Sequence, residues 1–294
     1  MKFLSSQHID KRIWDQIVAS DEQLDFFSLS WVQDMLHPNW EMLCDEQGNY
    51  LLNVPIDKKK GFSYRLQPFF IRALSIPKNT EEKLGEVIAY LKKSASYLQL
   101  NISLHDPELT DAKGIYQQLD LTKGMQVLRA SYSTNTKRIL KKLPSDLAFL
   151  EIADVSVFIS FFKEQKGEEL SGFTNAVWER LSNLLLEAQK RGMLKIQTVE
   201  SNGEFMAAAV FISFKGTYFF LKGTATANGK KAGAMYALLD HEIEESSVWH
   251  HTFDFVGSNN PAIAQFYRKF GATDKSYGVI KQNNLPWLLR LIKP

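Results

Sequence analysis

Apolar and polar positions along this chain follow two periods, and its elements can be read where one period gives way to the other. Thr252 to Val256 sets β-branched and aromatic residues against short polar ones, which predicts a strand. Gly257, Ser258, Asn259 and Asn260 break that pattern and offer helix-capping side chains. Pro261 suits a first helical turn, where its missing N–H costs nothing. Ile263, Phe266, Tyr267 and Phe270 then recur at helical spacing, and Gly271 ends the helix.

The same order of elements is expected twice. Near residue 48 a polar turn precedes a strand, Tyr50 to Ile56; the turn Lys58-Lys59-Lys60-Gly61 leads to a second, Phe62 to Ile71. Near residue 203 the turn Ser201-Asn202-Gly203-Glu204 precedes the strand Phe205 to Phe214, and Lys215-Gly216 leads to Thr217 to Lys222. The glycines of each pair are 13 residues apart and the two pairs are offset by 155, at positions where a tight hairpin calls for positive φ. A helix follows in each half, Glu81 to Ala95 and Ala232 to Ser246. Then come a strand, Tyr97 to Leu104 and Thr252 to Val256, and a proline-containing cap, Asp106-Pro107 and Asn260-Pro261. Between the halves lie helices from Ser133 or Thr134 to Leu143, from Asp154 to Lys166 and from Thr174 to Lys190, before a strand from Leu194.

With 294 residues, 45% hydrophobic and 23% charged, the chain can bury a sizeable core. A net charge of +2 provides no bulk drive toward nucleic acid or anionic membrane. A lone cysteine, Cys44, excludes an internal disulfide framework and a cysteine-based zinc cluster. There is no signal-like apolar start and no apolar run of about 18 residues, so the expectation is a cytoplasmic protein without membrane contact. His250-His251 would point to opposite faces of a strand, and His241-Glu242 lacks a second histidine, so no metal is expected.

The spacing N-x6-Y-x3-G, with DFVGS, FY and FGA around it, resembles the last strand–helix unit of the GNAT acyltransferase superfamily, and its FemAB-like branch most closely. The segment from Phe27 to Leu74, with Trp31, Trp40, Pro55, Lys60, Gln67 and Pro68, resembles the first domain of bacterial FemAB-like proteins, and YSTNTKRILKKL resembles the basic helix opening their second. The resemblance implies an α+β chain of two tandem GNAT-like domains, residues 1–130 and 131–294, each a mostly antiparallel mixed sheet flanked by helices. It implies transfer of an acyl group to a small-molecule or peptide amine, from acetyl-CoA or another acyl-CoA, or from charged tRNA. Two departures stand out. The family's pyrophosphate loop has glycine or alanine where this chain has Met235, and no heptad segment matches the coiled-coil arm of several cell-wall FemAB enzymes. The alternative is a non-catalytic GNAT-fold module that binds a peptide, a cell-wall precursor or a phosphorylated metabolite.

Candidate residues follow. Gly223, Thr224, Gly229, Lys230, Lys231, Gly233 and Ala234 join a strand to a helix. Small residues there admit close backbone approach, and the helix N-terminus with its lysines suits a phosphate or carboxylate. By resemblance Asn260 lies near the acyl donor, and Tyr267 matches the tyrosine that protonates the leaving thiolate. Asp254 and Glu204 are candidates for orienting or deprotonating the amine. Lys137, Arg138, Lys141 and Lys142 share one helix face.

Overall fold

The computed structural model describes residues 1–170, 172–257 and 260–290; of the expected capping residues, Ser258 and Asn259 fall outside them. In chain order the elements are β1 (Lys2–Ser5), α1 (Lys11–Ser20), α2 (Ser30–Leu36), β2 (Trp40–Cys44), β3 (Tyr50–Pro55), β4 (Asp57–Lys59), β5 (Phe62–Leu66), α3 (Leu84–Lys93), β6 (Tyr97–Ile102) and β7 (Ala112–Asp120). They continue with α4 (Met125–Ser131), α5 (Thr134–Leu140), β8 (Ala148–Glu151), α6 (Val155–Lys166), α7 (Asn175–Lys190), β9 (Leu194–Ser201), β10 (Glu204–Phe214) and β11 (Thr217–Ala225). Last come α8 (Ala227–Ala232), α9 (Ala234–Ser246), β12 (Thr252–Asp254), α10 (Pro261–Arg268), β13 (Thr273–Asn283) and α11 (Trp287–Arg290).

The chain forms two compact units, Met1–Ile115 with Ser276–Pro294, and Tyr116–Lys275. In the first, β1, β2 and β3 pair antiparallel, and β4, β5, β6 and the end of β13 form a mixed arrangement in which β5 and β6 run parallel. Trp14, Phe26, Phe27, Trp40 and Met42 make its core, where the indole N–H of Trp14 donates to the Ser28 carbonyl at 2.7 Å. In the second unit the strand order is β7-β12-β11-β10-β9-β8, antiparallel except for β11 beside β12. Leu238, Leu239 and Ile243 of α9 pack with Phe211, Phe220 and Phe253 in its main core; each such side chain contributes roughly 1.5–3 kcal/mol on burial. The expected α+β architecture, mostly antiparallel mixed sheet flanked by helices, is what the chain adopts, with a three-stranded sheet and a ten-stranded one.

The turn repeat has a direct backbone basis. Gly48, Gly61, Gly203 and Gly216 all have positive φ, between 72° and 87°. Lys60, Asn202 and Lys215, each just before a glycine, are also left-handed, at 47° to 52°, so three hairpins use two left-handed residues whose twist matches the strands. Helix caps also fall where the side chains predict: Ser133, Asp154 and Asn260 each accept a backbone N–H of the helix that follows.

Several expected spans change. The strand expected to run to Ile71 stops at Leu66, since Pro68 has no N–H to donate and Phe70 is left-handed at φ 70°. The strand expected to end at Lys222 continues to Ala225, and the one expected to reach Val256 stops at Asp254, because Val256 is left-handed at φ 55°. Asp106-Pro107 opens only a turn, in which Glu108 N–H donates to Asp106 Oδ1 at 2.8 Å.

Candidate functional site

The site of the second unit begins with a strand pair that separates. β11 and β12 stay in register for three residues, Thr217 with Thr252 to Phe219 with Asp254. Beyond that the Phe255 N–H donates to the Gln117 carbonyl at 3.1 Å, so the chain stays with β7. β11 instead stays with β10, and the step from Phe211–Phe220 to Val210–Lys222 leaves Leu221 as the extra residue of a bulge. The gap is a cavity of ≈ 240 Å³. Phe220, Leu221, Lys222 and Gly223 form one side of it, and Phe255, Val256 and Gly257 the other. Phe162 and Lys166 of α6, Leu170 and Phe173 of the following turn, and Ile263 and Tyr267 of α10 complete the wall. Ligand sites favour such places, where parallel strands part at their carboxyl ends.

Two features hold this mouth in shape. Val256 and Gly257 are successive left-handed residues, at φ 55° and 82°. A β-branched residue there is strained, which is characteristic of residues that line functional sites. The Val256 N–H donates to Asp254 Oδ1 at 2.6 Å, and Asp254 Oδ2 accepts from Gln118 Nε2 at 2.9 Å. Asp254 is 1% exposed and does not line the cavity, so its carboxylate braces the turn.

Tyr267 projects from α10, whose start is fixed by Asn260 Oδ1 accepting the Ala262 N–H at 3.0 Å. Its ring stacks on Phe255 at 4.5 Å between centroids and meets Phe220 edge-on at 6.0 Å, contacts worth about 0.5–1.5 kcal/mol each beyond burial. Among the described residues its hydroxyl has no hydrogen-bond partner. Burial raises the phenol pKa above its ordinary value, so the proton stays on oxygen. Lys222 keeps part of its surface accessible, but the cavity walls strip water from its ammonium and push its pKa down.

Of the expected site residues, the structure brings together Tyr267 and Gly223 at the cavity. A Cβ on Gly223 would stand 2.7 Å from the Phe220 ring, so glycine leaves room for that ring. Thr224, next to it, is buried. Asn260 caps α10 at the edge of the site. Glu204 is exposed at the start of β10 and away from the cavity.

The expected phosphate loop is folded onto the protein. Residues 227–232 form α8, capped by Thr226 Oγ1 accepting the Gly229 N–H at 2.9 Å. A Cβ on Gly229 would lie 1.9 Å from the Met206 carbonyl oxygen, and one on Gly233 2.5 Å from Ile139 Cγ2 of α5. Ala234, the first residue of α9, is fully buried, while Lys230 and Lys231 are exposed and do not line the cavity. Gly229 and Gly233 thus each admit a close approach by the chain's own atoms. On the basic face of α5, Lys137 Nζ donates to the Ala130 carbonyl at 2.6 Å and Arg138 Nη2 to Asn135 Oδ1 at 2.9 Å. Among the described residues no group of His, Cys, Asp and Glu is arranged to hold a metal ion, and no helix is long and apolar enough to cross a membrane.

Sequence reasoning missed Lys222. The signal was present: Tyr218-Phe219-Phe220-Leu221 is an apolar run, and a lysine directly after it, inside a strand, needs a reason.

Comparisons with known proteins bear on the fold that carries this cavity. Residues 130–267 match the Acetyltransferase (GNAT) domain family. None of the curated proteins matches the chain. The crystal structure of FemX is similar over 100% of both chains, at 11% identity and a TM-score of 0.69. L-PGS from Bacillus licheniformis is similar over 96% of this chain and 95% of its own, at 14% identity and 0.53. A tandem GNAT protein from the clavulanic acid biosynthesis pathway is similar over 95% and 97%, at 10% identity and 0.54. Residues 130–267 thus match the GNAT acetyltransferase domain family, and the chain as a whole has the fold seen in FemX and in a tandem GNAT protein.

Proposed function

We propose that the second unit transfers an acyl group from an activated ester to an amine, with the reacting carbonyl seated between β11 and the chain that follows β12. The observation that carries this reading is the cavity where those strands part, with a protonated phenol, Tyr267, in its aromatic wall. Attack of an amine on an ester needs no covalent intermediate with the enzyme. It needs alignment, exclusion of water and a proton for the leaving oxygen or sulfur. The walls supply the first two, and Tyr267 supplies the third.

Between the two donor classes, the filled phosphate loop favours aminoacyl-tRNA over acyl-CoA. Gly229 packs on Met206 and Gly233 on Ile139, whereas an aminoacyl end can enter the cavity without that loop. The FemAB resemblance admits this donor alongside acyl-CoA. The test is turnover of a mixture of charged tRNAs, beside acetyl-CoA, with a panel of small amines and peptides as acceptors. Consumption of an aminoacyl-tRNA, dependent on acceptor, is the expected result. Turnover of acetyl-CoA alone would reverse the choice of donor. Tight binding of acceptors with no turnover of either donor would identify a binding module instead.

A further inference from the structure

We infer that Lys222 is the catalytic base of the second unit: its side-chain nitrogen takes the proton from the incoming ammonium before that nitrogen attacks the acyl carbon. This rests on the acyl-transfer reading above and adds to it the group that prepares the acceptor. The geometry begins with the bulge. Val210 pairs with Lys222 and Phe211 with Phe220, so Leu221 is the added residue just before the lysine. Lys222 therefore stands on the stretch of β11 that has left β12, and it lines the same cavity as Tyr267.

The surroundings leave few other candidates for a base. The charged groups that line the cavity with it are Lys166 of α6 and Glu169 in the turn after it, which are ion-paired with each other, and Tyr267 of α10 is the remaining titratable one. Phe255, Val256 and Gly257 on the facing chain carry no charge. Asp254 is committed to Gln118 and the Val256 N–H, outside the cavity. Tyr267 holds its proton, so it is a donor and not an acceptor. Desolvation favours the neutral amine of Lys222, which is the form able to accept a proton.

The step balances. The lone pair on Lys222 Nζ takes one proton from the acceptor ammonium. The freed nitrogen pair forms the C–N bond, and the carbonyl π pair moves to oxygen. On collapse the ester C–O bond breaks and the departing oxygen takes the proton of Tyr267. The phenolate then takes the second proton from the new amide nitrogen, and Lys222 releases its proton to water.

The test compares the wild-type protein with Lys222→Met and Lys222→Arg, using the donor that turns over in the assay above. Two acceptors are used: ethylamine, which is protonated near neutral pH, and hydroxylamine, which is not. With ethylamine both variants lose kcat by on the order of 10²-fold or more, the usual worth of a general base. With hydroxylamine, after subtraction of its uncatalysed reaction, the loss is under about tenfold, because no proton has to be removed first. The KM for the donor stays unchanged. In parallel, graded-pH labelling with acetic anhydride, read on the Lys222 peptide by mass spectrometry, shows a midpoint below that of an unperturbed lysine.

Equal losses with both amines, full rescue by arginine, a raised donor KM at constant kcat, or an ordinary titration midpoint would each overturn the assignment. A wild-type enzyme that turns over ethylamine alongside an unimpaired Lys222→Met removes this inference and leaves the transferase reading standing. A wild-type protein inert toward every donor removes both.

Discussion

Each unit contains a parallel strand pair that parts after three residues, and the two pairs deal with the gap in opposite ways. In the first unit β5 and β6 pair from Tyr64–Tyr97 to Leu66–Gln99. The chain then fills the opening itself. Gln67 Oε1 accepts the Asn101 N–H at 2.9 Å while Gln67 Nε2 donates to the Ile71 carbonyl at 2.8 Å. Leu74 returns to pair with Ile102, its N–H donating to the Asn101 carbonyl at 2.8 Å. In the second unit nothing among the described residues returns in this way, and the gap remains a cavity.

The cations on the two strands differ in the same sense. Arg65 on β5 is 2% exposed and fully engaged. It donates to Glu41 at 2.7 Å, to the Pro55 carbonyl at 3.0 Å and to Ser94 Oγ at 3.1 Å, and its guanidinium carbon lies 4.0 Å from the centre of the Phe3 ring. Lys222 on β11 is desolvated at a cavity wall. Arg65 is enclosed within its unit, whereas Lys222 keeps part of its surface accessible at the cavity.

That contrast is open to direct attack. Arg65→Met leaves Glu41 and two further acceptors without their donor and is expected to cost about 3 kcal/mol, near the usual loss when one side of a buried pair is removed; urea unfolding measures it. A cost below about 0.5 kcal/mol, the range of an ordinary surface substitution, would mean that Arg65 is not structural. Tyr267→Phe keeps the stacked ring and removes only the hydroxyl. It should lower kcat about 10²-fold, equivalent to about 2.7 kcal/mol, with little change in melting temperature. Unchanged turnover would take Tyr267 out of the chemistry.

The next prediction concerns the filling of the first gap. Gln67→Ala strands the Asn101 N–H and should cost about 1.5 kcal/mol without touching transfer rates. A fall in kcat instead would move function into the first unit. The smallest effect has the opposite sign. Lys222→Met removes the cost of taking the lysine out of water, so it should stabilise the protein, by more at neutral than at alkaline pH. The folded pKa of Lys222 lies below its ordinary value of 10.5, so the native state binds fewer protons between those two values. The wild-type penalty is therefore constant below the folded pKa, shrinks as pH rises toward 10.5, and vanishes above it. Unfolding curves of both proteins at several alkaline pH values check this, and a gap that widens with pH would refute it.

Sequence carried the repeat well, because its signals are local. Gly48, Gly61, Gly203 and Gly216 had to be left-handed, and Asn260-Pro261 had to start a helix, whatever lay around them. The strand ends were harder, since Val256 and Phe70 adopt left-handed backbone that their side chains disfavour. Only tertiary packing imposes that. The packing of the loop was hidden for a related reason: Gly229 and Gly233 serve close approach, and Met206 and Ile139, distant in sequence, are among what approaches. The cavity depends on Leu221 being an extra residue in a ladder with β10, a register that no local pattern encodes.

The central claim is that the parted strands of the second unit receive the acyl end of the donor. A crystal structure with a stable 3′-amide analogue of an aminoacyl-adenosine tests it most directly. The account predicts acyl-group density among Phe220, Lys222, Phe255 and Tyr267. Density anywhere else, or an empty cavity at saturating analogue, would contradict it.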